Sequence, residues 1–181
     1  MSVIAPAVHR LETVDPPLAL PLLLDIAQGL AAAEDLWGPH AHHDEAERRP
    51  VRLVASDRWE AWVIGWSTGQ RVELHDHGAS AGALVVVQGD LVEITDVAGR
   101  YRPRTLLTGA AVELPLGLVH DIVATGPQPA TSIHVYSPVL EAMTFYAADG
   151  RPDRTVPVLD EAPVSDLRRI ARALHPSGRR G

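Results

Sequence analysis

From Val51 to Tyr136 the chain alternates short runs of β-favouring residues with glycine- and proline-marked turns, and this punctuation constrains the fold more than any other feature. Strand-like runs fall at residues 51–54, 59–66, 72–77, 83–88, 91–95, 105–107, 111–114, 119–123 and 131–136. Short strands at regular spacing predict an all-β sandwich or barrel. Within the series, Gly89-Asp90 reads as the turn of a hairpin joining 83–88 to 91–95, and 97–103 reads as a turn region.

The flanking segments carry a different period. Residues 18–34 place Leu20, Leu23, Leu24, Ile26, Ala27 and Leu30 at near-helical spacing. An amphipathic helix is expected there, with Pro21 in its first turn and Trp37-Gly38-Pro39 as its stop. Residues 40–49 are polar. His40 and His43 would share a helical face and could ligate zinc, but a solvated linker is the better reading. A short helix is expected over 165–174, acidic at its start and arginine-rich at its end, as the macrodipole favours. The expected division is an N-terminal helical segment (1–47) packing on a barrel (48–146), with a C-terminal extension (147–181) in the same domain.

The 181 residues are enough to bury a core. A net charge of −7 removes the basic field that non-specific nucleic-acid binding needs. There is no cysteine, which excludes disulfides, thiolate ligands and a cysteine nucleophile. Residues 1–10 lack the charged start and apolar core of a signal peptide, and the apolar run at 18–33 is too short to span a bilayer. A cytoplasmic monomer with neither nucleic-acid nor membrane partners is expected.

The chemistry starts at His75-Asp-His77. Two histidines two apart on a strand point to the same face, and imidazole suits zinc, copper, iron and nickel. Asp76 faces the other way and is expected to be a structural hydrogen-bonder. The stretch resembles the first motif of the cupin superfamily: Gly69, five residues, His75-x-His77, four residues, a carboxylate position, six residues, Gly89. The second motif is resembled by Gly109, five residues, Pro115-x-Gly117, two residues, His120, which makes His120 the third ligand. The implied fold is a double-stranded β-helix. The usual carboxylate position is Gly82, so the ligand set is three neutral histidines with room beside them. Such a site suits an anionic substrate that supplies the missing negative charge, and a thiolate does so well.

Ser132, His134 and Tyr136 alternate along one strand and share a face. A chain of hydrogen bonds among them would orient a phenol toward the metal, with His134 behind the tyrosine. Together with Gly82 and the Ser-x-His-x-Tyr-Ser-Pro run at 132–138, this resembles the cysteine dioxygenase family in its bacterial form, over roughly residues 48–146. The resemblance implies Fe(II) held by His75, His77 and His120, with Tyr136, His134 and Ser132 as the catalytic row. It also implies a cis Ser137–Pro138 bond. Mammalian members cross-link their tyrosine to a cysteine at the Gly82 position, which this chain cannot do. The family's carboxylate-binding arginine matches Arg52 best, although the family's tyrosine two positions earlier is Pro50 here; Arg49 and Arg58 are weaker candidates. Arg52 and Tyr136 are thus the expected substrate contacts, and the three tryptophans 59, 62 and 66 are expected in core or barrel wall. The implied reaction joins O2 to the sulfur of a small mercapto acid, foremost L-cysteine, giving cysteine sulfinic acid. The alternatives are 3-mercaptopropionate or another thiol as substrate, or a non-catalytic metal-binding or sensor cupin.

Overall fold

The computed structural model describes residues 16–97, 100–158, 161–166 and 168–170. Its strands form two antiparallel sheets. One has the order β1 (Pro50–Ala55), β2 (Glu60–Trp66), β9 (Ala130–Ser137), β4 (Ala81–Gln88), β7 (Ala111–Leu114). The other has the order β11 (Pro152–Pro157), β10 (Ala142–Tyr146), β3 (Arg71–Asp76), β8 (His120–Ala124), β5 (Leu91–Val97), β6 (Arg100–Leu106).

Strand parity sorts the core. On β2, β4 and β9 the even-numbered side chains Trp62, Ile64, Trp66, Leu84, Val86 and Tyr136 point between the sheets, where they meet Val72, Leu91 and Ile122. The odd-numbered Ala61, Val63, Ala83, Val85, Ile133 and Val135 point outward, under helix α1 (Leu20–Ala32). That helix lays Leu23, Ala27 and Leu30, all fully buried, on this face at the i, i+4, i+7 spacing. Burial of each leucine contributes about 1.5–3 kcal/mol. Pro21 sits in the first turn, and α2 (Glu34–Trp37) with a 3-10 turn (Gly38–His40) ends the helical segment. No helix among the described residues is long and apolar enough to cross a membrane.

Three sequence expectations change, and one strand is added to them. The hairpin across Gly89-Asp90 is not one, because β4 and β5 lie in opposite sheets. β4 is apolar on both faces and belongs to the sheet covered on both sides, whereas β5 alternates. Residues 100–106 are a strand rather than a turn. β6 is an exposed sheet edge, which is where a strand tolerates Pro103. The stretch after Tyr146 contributes β11, another exposed edge strand with no alternation to read. Residues 40–49 are not a free linker: His43 Nε2 lies 3.0 Å from the Ala130 carbonyl and 2.9 Å from Thr131 Oγ1, and Gln70 Nε2 donates to the Asp44 carbonyl at 2.7 Å. Gly65 admits the passing chain, since a Cβ there would stand 1.9 Å from the His42 carbonyl oxygen. Of the helix expected over 165–174, residues 168–170 are helical, while 167 and 171–174 lie outside the described residues, as do 1–15.

Candidate metal centre and its cavity

β3 and β8 are neighbours in a register that sets His75 opposite His120, and His77 follows one residue beyond the end of β3. The three rings stand 4.7 to 5.1 Å apart, and one nitrogen of each lies within 4.8 Å of the others. All three are buried. Two of their outer nitrogens are committed to the protein: His75 Nδ1–H donates to the Glu73 carbonyl at 2.7 Å, and His120 Nδ1–H donates to Glu93 Oε1 at 2.8 Å. His120 Nε2 is buried with no hydrogen-bond partner. Burial, with the neighbouring His120 second, pushes His75 down to about 3, and the same two causes hold His77 well below the usual imidazole range. Both rings are neutral at pH 7, the form that binds metal. An orphaned inward nitrogen and convergent neutral imidazoles fit a divalent transition metal.

On the facing sheet, Gly82 lies opposite Tyr136 in the ladder. A Cβ at 82 would stand 2.7 Å from the Val135 carbonyl oxygen and 2.8 Å from Tyr136 Cδ1. The room left by the missing carboxylate is therefore taken by the phenol ring, rather than left open. Tyr136 Oη is 3.4 Å from His77 Nε2 and 3.1 Å from His134 Nδ1. His134 Nε2 is 2.8 Å from Ser132 Oγ, and Trp66 Nε1–H donates to that oxygen at 2.9 Å. Indole can only donate, so Ser132 Oγ accepts from Trp66 and has its own proton for His134 Nε2. His134, neutral because burial lowers it to about 3, then carries its proton on Nδ1 and donates to the Tyr136 oxygen. The phenolic proton is left to point toward His77. Burial, reinforced by Glu60, raises the Tyr136 pKa, so the phenol stays protonated.

Histidines and phenol face one cavity of about 210 Å³, with otherwise mainly apolar walls that include Trp62 and Trp66. Arg52 does not line it. Its Nε lies 2.7 Å from Glu60 Oε2, both side chains being buried, and its Nη1 donates to the Glu161 carbonyl at 3.1 Å. Arg52 lies opposite Trp62 in the β1–β2 ladder, with its Cζ 5.7 Å from the indole centroid. Arg49 pairs with exposed Glu47, and Arg58 Nη2 donates to the Pro16 carbonyl. Among the described residues the guanidinium on the cavity is that of Arg48, half-buried and 4.9 Å from the Trp66 ring centroid. Asp76 faces away and accepts from Tyr146 Oη at 2.5 Å and from the Gly78 N–H at 2.9 Å. The Ser137–Pro138 bond is cis.

Arg48, Glu93 and the part played by Trp66 escaped the sequence reading. Glu93 had a signal, as a carboxylate in phase with the inward Leu91 of an alternating strand. Arg48 had none, because it sits before the first strand, where no periodicity assigns a face.

Two antiparallel sheets closed around three buried histidines make a cupin, a double-stranded β-helix, with a candidate three-histidine metal centre. Similar folds have been solved. The TT1209 protein of Thermus thermophilus superposes with a TM-score of 0.51 at 20% identity, over 56% of this chain and 93% of that one. An uncharacterized Klebsiella pneumoniae protein with a double-stranded β-helix domain gives 0.50 at 18% identity, over 56% and 85%. The family model for cysteine dioxygenase type I matches residues 22–149, and the chain belongs to that family.

Proposed function

We propose that the protein is a non-haem Fe(II) thiol dioxygenase that converts a small mercapto acid to its sulfinate, with L-cysteine to cysteine sulfinic acid the first candidate. The overall change, RS⁻ + O2 → RSO2⁻, needs no other reductant. The observation that carries the reading is the buried trio His75, His77 and His120 facing the Trp66–Ser132–His134–Tyr136 chain across one cavity. Divalent iron held by the three histidines would bring thiolate and dioxygen together on one centre. The Tyr136 hydroxyl donates toward the reacting atoms, and His134 and Ser132 fix its direction. In this proposal Arg48, rather than Arg52, meets the substrate carboxylate, and its stacking on Trp66 holds the guanidinium at the wall. The apolar walls exclude water. Oxygen uptake by anaerobically Fe(II)-loaded protein, across a thiol panel including cysteine and 3-mercaptopropionate, tests the proposal. Uptake matched by sulfinate supports it; no uptake with any thiol refutes it and favours a non-catalytic binder.

A further inference from the structure

Each metal-ligating imidazole must present the right nitrogen, and its other nitrogen decides how strongly it donates. Here the ligands differ. His75 gives its outer N–H to a neutral backbone carbonyl, whereas His120 gives its own to a carboxylate, Glu93 Oε1, at 2.8 Å. Glu93 is fully buried. It lies on β5 opposite Ile122, and His120 reaches it diagonally across the ladder. Its second oxygen, Oε2, is held by the Arg104 guanidinium from the neighbouring edge strand. Both oxygens are thus fixed. Position 82 has no room for a carboxylate as the chain is packed, because Val135 and Tyr136 lie against Gly82.

We propose that Glu93 is a positioning residue for the metal centre: its carboxylate fixes His120 with Nε2 inward and places an anion, itself paired with Arg104, one hydrogen bond beyond the ligands. This rests on the three-histidine metal site but not on the identity of the thiol. A carboxylate on the far nitrogen draws the imidazole toward imidazolate character and makes Nε2 the stronger donor.

Two measurements decide it, neither of them an activity. Cobalt(II) titration compares wild type with Glu93→Gln, which keeps the side chain's shape and an acceptor oxygen but removes the charge. The expected result is affinity about 10–100-fold weaker, with displaced ligand-field bands, and metal-free folding intact by circular dichroism. Long-range ¹H–¹⁵N spectra of metal-free wild type, which need no variant to fold, are expected to show His120 protonated at Nδ1. Unchanged cobalt affinity and bands in Glu93→Gln, or a His120 protonated at Nε2, would overturn the role of Glu93. A wild-type protein that binds no cobalt would instead overturn the metal site itself, and this proposal with it.

Discussion

Replacing Gly82 by alanine tests how the site is built with the smallest change of atoms. In an ordinary strand the substitution would stabilise by about 0.4–1 kcal/mol, through the lost freedom of the unfolded chain. Here the new methyl would meet the Val135 carbonyl oxygen at 2.7 Å and Tyr136 Cδ1 at 2.8 Å. The carbonyl belongs to a strand paired on both sides, so it cannot retreat. The ring is tethered through Tyr136 Oη to His134. Overpacking of this kind costs typically about 1–3 kcal/mol, and a rigid backbone contact puts it in the upper part of that range, leaving a net loss of roughly 2 kcal/mol. For a chain of this size that lowers the melting temperature by about 4–8 °C. Thermal unfolding of metal-free protein measures this, and iron content with turnover shows where the strain goes. Displacement of the phenol should lower turnover more than iron binding. A melting temperature equal to or above wild type, with full turnover, would refute the packing argument.

Tyr136→Phe is expected to retain iron while turnover falls by about 10²-fold, the size of a lost oriented donor; iron content falling in step would assign the residue to metal binding instead. Arg48→Gln should raise KM for a mercapto acid with little loss of stability, whereas Arg52→Gln should destabilise by about 3 kcal/mol by stripping buried Glu60 of its charged partner, as denaturant unfolding would show; a KM effect confined to Arg52→Gln would return the carboxylate site to Arg52. Burial holds His75 and His134 near 3, below the ordinary value of 6.5, so the unfolded chain binds more protons than the folded one. The stability they contribute to metal-free protein is complete above about pH 6.5 and falls toward pH 3, at about 1.4 kcal/mol per pH unit for each ring. A melting temperature independent of pH between about 7 and 5 would contradict this assignment.

The barrel was legible because short β-favouring runs alternate with glycine- and proline-marked turns, and the ligands because His75, His77 and His120 stand at a demanding spacing. What stayed hidden has physical causes. β6 and β11 are exposed edges whose composition answers to solvent, so no alternation marks them. Which sheet a strand joins depends on what covers it, and that misassigned the turn at Gly89. Arg52 reads like a substrate arginine in sequence. Only the fold shows Glu60, eight residues on and across the β1–β2 ladder, claiming it. Local pattern assigns a face to a side chain; it cannot say that a buried carboxylate on the neighbouring strand will meet its guanidinium.

The most direct test of the central claim is single-turnover reaction of the Fe(II)-loaded protein with ¹⁸O2 and L-cysteine, followed by mass spectrometry of the product, with 3-mercaptopropionate run in parallel. The expected result is a sulfinate carrying both labelled oxygen atoms from one of these thiols. Disulfide or unreacted thiol alone, from protein with its full complement of iron, would contradict it.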